Sequence, residues 1–117
     1  MVAHIKTIAF EGVEVTDVDV HVQIGPGLPA FTVVGLPDKA VAESRERVRA
    51  ALNAIGLALP AKKIVVNLAP ADLAKEGSHF DLPIALGVLV AMGVMPADNV
   101  EPYLVLGELS LDGSLTP

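Results

Sequence analysis

The sequence has no cysteine and no tryptophan, and only three phenylalanines and one tyrosine among 117 residues. Without cysteine there is no disulfide framework and no thiolate chemistry. With so few rings, the core has to be assembled from valine, leucine, isoleucine and alanine, the bulk of the 52% of residues that are apolar. Such aliphatic cores suit mixed packing of helices on a sheet. A long hydrophobic run is also missing. The longest, Leu82 to Met95, has 14 residues, which at a rise of about 1.5 Å each falls short of a ~30 Å hydrocarbon layer. It is expected as a buried helix and not as a membrane span. The opening residues carry His4 and Lys6 within an alternating pattern, with no apolar stretch leading to a small-residue cleavage site. A cytoplasmic location is therefore expected.

Positive charge is scarce as well: eight Lys and Arg face 14 Asp and Glu, for a net charge of −6. Residues 38–63 nevertheless hold six of the eight bases against three acids, giving +3, and the remainder carries −9. An acidic body excludes non-specific nucleic-acid binding by the whole surface, but it leaves one basic strip as a contact face. A chain of this length fits one domain, since a core of that size buries roughly two thirds of the surface its unfolded chain exposes.

Alternation predicts a strand over residues 4–13, with Ile8 and Phe10 marking one face. A second follows, in which Val18, Val20, Val22 and Ile24 alternate with Asp17, Asp19, His21 and Gln23. Val13 and Val15 stand in the opposite phase, so a hairpin turn is expected near Thr16. Gly25-Pro26-Gly27-Leu28-Pro29 is a tight connection to a third strand, Ala30 to Val34. Asp38 is expected to cap a helix running to about Ile55, whose inner stripe is Val41, Ser44, Val48, Ala51, Leu52 and Ile55, with Glu43 and Arg47 paired outside. Gly56 supplies its left-handed stop.

The run Ile64 to Leu68 lacks alternation and is expected as a central strand covered on both faces. A loop from Ala69 to Phe80 leads to Asp81, a second expected N-cap, with Pro83 in the first turn of a helix to about Val94. Tyr103 to Leu111 reads as a last strand, and Asp112-Gly113 turns the chain into a returning arm. The chain is expected to be a fragment cut inside that hairpin.

Several blocks carry a resemblance. Gly27-Leu28-Pro29-Ala30-Phe31-Thr32-Val33-Val34-Gly35-Leu36-Pro37-Asp38 is followed by Glu43-Ser44-Arg45-Glu46-Arg47-Val48-Arg49, then by Pro60-Ala61-Lys62-Lys63-Ile64. After these come Asn67 to Leu73 with Lys75-Glu76-Gly77, Phe80-Asp81-Leu82-Pro83-Ile84-Ala85, and Gly107-Glu108-Leu109. In this order they resemble the N-terminal domain of Mg-chelatase-like AAA+ ATPases of the ComM/YifB type. The resemblance implies an α/β (α+β) domain: a two-layer mixed sheet with helices on one face, as in the Lon protease catalytic domain and domain 2 of ribosomal protein S five. It also implies a longer protein, in which an AAA+ module binds ATP and Mg2+ and assembles as a homo-oligomeric ring, and which acts on DNA by branch migration in natural transformation. The expected partners of this domain are its own AAA+ module, neighbouring subunits and DNA, with no membrane. Its expected role is assembly and regulation; the alternatives are a DNA-contacting module and a Lon-like serine peptidase. No G-x-x-x-x-G-K-[ST] segment is present to cradle phosphates, so no cofactor is expected on this chain.

Lon-like peptidases place their serine in a segment that matches Lys75-Glu76-Gly77-Ser78-His79-Phe80-Asp81 here. Counting from Lys75 puts His79 at the nucleophile position and Ser78 one place early, so no catalytic residue is expected. Ser78, His79 and Asp81 read as a loop before a helix and not as a triad. Asp17, Asp19 and His21 share one strand face, but three side chains in a row on a flat face do not converge as a metal requires. The basic strip of Arg45, Arg49, Lys62 and Lys63 is kept as a contact for an anionic partner. Arg45 and Arg49 form a like-charge i,i+4 pair, which is mildly destabilising unless something offsets it.

Overall fold

The computed structural model describes residues 2–11, 14–70, 79–100 and 103–116. Its first two strands, β1 (Val2–Glu11) and β2 (Glu14–Gly25), pair antiparallel from Val2↔Gln23 to Glu11↔Glu14. Glu11 and Glu14 already face each other across the ladder, so the strands meet earlier than the Thr16 expected from the phase of Val15. Val15 needs no bulge, because it stands opposite Phe10 on the outer face, where both are about half exposed. An apolar cross-strand pair at a hairpin end can hold register without entering the core.

β3 (Ala30–Val34) and β4 (Lys63–Ala69) complete a sheet in the order β1-β2-β4-β3. β4 is central, antiparallel to β2 and parallel to β3. It is not covered on both faces: Ile64, Val66 and Leu68 are buried, Val65 is half-buried and Asn67 is exposed. The three consecutive apolar residues Ile64, Val65 and Val66 hid this ordinary alternation.

Two helices cover the face that carries Ile5, Val20, Val22, Val66 and Leu68, while His4, Lys6, Phe10 and Asn67 on the opposite face stay exposed. α1 (Asp38–Ala54) buries Ser44, Val48, Ala51 and Leu52. Ile55 is exposed, because the helix has already ended in a Schellman arrangement with Gly56 N–H on Asn53 O and Leu57 N–H on Leu52 O. α2 (Asp81–Ala91) crosses the sheet closely at Gly87, where a Cβ would lie 2.5 Å from Val22 Cγ2. It ends before Val94 because Gly93, at φ +79, makes the same kind of stop.

Neither expected carboxylate cap forms. Pro37 and Phe80 occupy the two N-cap positions, with Asp38 and Asp81 one residue inside the helices and no side-chain cap bond at either. Nor does the last strand run from 103 to 111. Leu104 bridges Lys6 on the outer edge of β1 and Val105 N–H bonds Lys6 O, after which Gly107 turns inward to bond His79 and Leu82. Only β5 (Glu108–Leu109) and β6 (Leu115–Thr116) pair, as a hairpin around Asp112-Gly113. Hydrogen bonds from the Ser114 hydroxyl and N–H hold the Asp112 carboxyl below its usual pKa.

Candidate functional site

The most concentrated chemistry among the described residues lies where α1, α2 and β5 meet. Asp81 is fully buried in the first turn of α2. One carboxylate oxygen accepts from Ser44 Oγ at 2.8 Å and from Arg47 Nη2 at 3.1 Å. The other accepts from Arg47 Nε and from the Leu109 backbone N–H at 3.2 Å. A buried charge is tolerable only when paired and fully hydrogen-bonded, and these four donors meet that requirement.

Arg47 thus turns inward from α1, contrary to the outer Glu43–Arg47 pair expected from spacing. Its Glu43 contact survives at 3.8 Å, longer than its bonds to Asp81. The guanidinium pKa is raised, chiefly by hydrogen bonding to Asp81, against the lowering effect of burial and with help from the charges of Asp81, Glu108 and Glu43. Beside the pair opens a pocket of about 300 Å³ lined by Leu36, Glu43, Ser44, Arg47, Phe80 and Glu108, among others. Spacing pointed to Ser44 as an inner residue and to Asp81 as a helix-start residue. It held no sign that the two meet, because they lie 37 residues apart.

The four bases of the strip gather around the start of β3. Arg45 Nη1 donates to Phe31 O at 3.0 Å, and the Arg49 guanidinium stands 6.0 Å from the centre of the Phe31 ring. Lys63 sits opposite Ala30 in register, and Lys62 O accepts the Ala30 N–H. The Arg45–Arg49 repulsion is offset locally, since one guanidinium is anchored on a carbonyl and the other faces a ring.

His79 is half-buried at the end of β1. Its Nε2 lies 2.7 Å from Ile8 O, so Nε2 carries the hydrogen, and the ring packs against Phe10 and Phe80. Lys75 and Ser78 fall outside the described residues. On β2, Asp17, Asp19 and His21 do share a face, but Asp19 is held by His4 Nδ1 at 3.0 Å and His21 stacks on His4 with ring centres 4.4 Å apart. Among the described residues no three such side chains are placed to hold a metal ion.

Fold and site together define an α+β domain with a four-stranded mixed sheet, two helices on one face, and a buried Arg–Asp–Ser lock where the helices meet the C-terminal hairpin. This architecture is compatible with a Lon-like arrangement. The family model described as subunit ChlI of Mg-chelatase matches residues 20–117, and the chain belongs to this Mg-chelatase-like family. The chain is 49% identical over 113 residues to YifB of Salmonella typhimurium, covering 97% of this chain and 22% of that protein. It is 48% identical over 104 residues to the competence protein ComM of Haemophilus influenzae, covering 89% of this chain and 20% of the relative. A Mycobacterium bovis protein, Mb2921c, is 42% identical over 111 residues, or 95% of this chain and 22% of its own length. The chain therefore spans about a fifth of the length of these relatives.

Proposed function

We propose that this chain is a non-catalytic assembly and regulatory domain of a longer Mg-chelatase-like AAA+ ATPase that acts on DNA, by branch migration during natural transformation. In this reading ATP and Mg2+ belong to the AAA+ module, and the protein works in the cytoplasm. No helix among the described residues is long and apolar enough to cross a membrane. The kinship with a competence protein supports the cellular role.

The observation that carries the domain's role is where its apolar surface lies. Tyr103, Leu104, Leu106, Leu111 and Leu115 are all 47–61% exposed, following one another along the segment from β1 to the last hairpin. Large side chains left in water in such a concentration mark a docking surface. Burying them against the AAA+ module or a neighbouring subunit would contribute roughly 25 cal/mol for each Å² of apolar surface removed from water. The test compares the full-length protein with a form lacking residues 1–117 and with a Leu106→Glu, Leu111→Glu double variant. Weaker ring formation and lower DNA-dependent ATP hydrolysis are expected in both; unchanged assembly and turnover would sink the reading.

A second reading, direct contact with DNA, draws on the gathering of Arg45, Arg49, Lys62 and Lys63 at β3. It predicts salt-dependent binding of single strands that charge reversal at Arg45 and Arg49 weakens.

A further inference from the structure

β3 ends the four-stranded sheet and, among the described strands, pairs with β4 alone. In a parallel ladder each residue turns both of its peptide groups to the same side, and successive residues alternate. The Ala30 N–H bonds Lys62 O at 3.3 Å, so Ala30, Thr32 and Val34 face β4. Phe31 and Val33 therefore present N–H and C=O to the free edge, while their side chains stay buried in the core. The Arg45 bond to Phe31 O fits this direction. Among the described residues no other group occupies that edge. An open edge of this kind is a template for another strand unless something blunts it, and among the described residues one arginine covers it.

Positive charge lies beside the edge, with Arg45 on Phe31 O and Arg49 over the Phe31 ring. A pocket of about 180 Å³ opens beside Phe31, lined by Pro29, Arg49, Leu59, Pro60 and Lys62 among others, and no carboxylate lines it. We propose that the free edge of β3 binds an extended, acidic protein segment as a fifth strand, with Arg45 as the gate. An incoming carboxylate takes over the Arg45 guanidinium, exchanging a bond to a neutral carbonyl for a charge-assisted pair. Phe31 O is then free to accept an N–H from the incoming backbone, while Val33 donates and accepts in the same ladder. A neutral segment has to displace the arginine from Phe31 O and returns only an uncharged acceptor for it, so acidity is what favours opening the edge. A nucleic acid can pair with the bases but makes no use of the ladder. It also finds no stacking platform, because Phe31 is only 5% exposed.

This edge would serve the docking role proposed above and rests on that reading for its use in the cell. The test needs only the 117-residue chain, so its failure and a failure of assembly in the long protein are distinguishable. The chain is titrated by NMR with an acetylated Thr-Glu-Val-Glu-Thr amide, its Thr-Gln-Val-Gln-Thr counterpart, and an oligothymidylate of roughly the length that single-strand-binding folds occupy. The glutamate peptide is expected to shift Phe31 and Val33, to slow exchange of both their amides, and to bind about tenfold more tightly than the glutamine peptide, a difference of ~1.4 kcal/mol. Arg45→Gln is expected to bring that preference to about twofold or less, roughly 1 kcal/mol below its starting value. The comparison of the two peptides on the unaltered chain decides the matter even if that variant folds poorly. Equal affinity for both peptides, no binding of either at millimolar concentration, shifts away from β3, or tighter occupation of the same residues by the oligonucleotide would each overturn the proposal.

Discussion

Asp81 shows how far one side chain can be from its apparent role. A carboxylate at a helix start, followed by proline, reads as a cap; buried to zero exposure, it serves as the acceptor for four donors from α1 and β5. Replacing it takes the acceptor from a buried hydroxyl and an N–H and leaves the part-buried Arg47 guanidinium, among the described residues, with only its 3.8 Å contact to Glu43. Asp81→Ala is therefore expected to destabilise the chain by about 3–5 kcal/mol, and Ser44→Ala, which removes one donor to a charged acceptor, by about 1.5–3 kcal/mol. Chemical denaturation of both variants checks the order as well as the sizes. Thr7 predicts the opposite sign. It is fully buried in β1, and its Oγ1 has no hydrogen-bond partner among the described residues. Thr7→Val removes a desolvated hydroxyl from a strand whose geometry valine favours, and is expected to raise stability by about 1 kcal/mol, read as a higher denaturation midpoint.

At the scale of elements, Gly35 decides how β3 passes into α1. Its φ of +103 is one that side chains rarely adopt, and a Cβ there would lie 2.5 Å from the Leu68 carbonyl oxygen in central β4. A backbone atom in mid-sheet cannot step aside, so Gly35→Ala is expected to cost more than the ~1–3 kcal/mol typical of overpacking. A thermal melt of the variant measures it. Element positions were largely legible from the sequence: four sheet strands, two helices and the terminal turn stand close to where periodicity and turn residues put them. Two of the misplacements, the position of the first turn and the cover of β4, share a physical cause. Val15 and Val65 are apolar residues on the less covered sheet face, and a one-letter apolar pattern does not tell such residues from core. Arg47 was read as a surface residue because spacing along α1 carries no information about a carboxylate on another helix. The gathering of Arg45, Arg49, Lys62 and Lys63 was legible as a cluster in the chain, but the carbonyl that anchors Arg45 was not, since it depends on which strand ends the sheet.

For the molecule as a whole, the sheet order sets a gradient of protection. β2 and β4 are paired on both sides, β1 is covered on its outer edge by Leu104 and Val105, and the outer edge of β3 has no strand on it among the described residues. Local opening follows the density of buried contacts, so amides of Val22 and Val66 are expected to exchange slowest and the outward amides of Phe31 and Val33 fastest among strand residues. Hydrogen exchange followed by NMR gives this ranking directly; slow exchange at Val33 in the free chain would mean that the edge is closed. The segment from Tyr103 to Leu115 sends Val105 and Leu109 into the core and leaves Tyr103, Leu104, Leu106, Leu111 and Leu115 outside it. It runs along the rim of the two layers, bonded to β1 at one end and to Asp81 at the other.

The Leu109 N–H bond to Asp81 has a mechanical consequence. Because the same carboxylate grips α1 through Ser44 and Arg47, a push on the terminal hairpin cannot be absorbed there; it has to turn both helices against the sheet or break the lock. Force applied at the rim would thus reach both helices through the two oxygens of Asp81, alongside the bonds of Gly107 to His79 and Leu82.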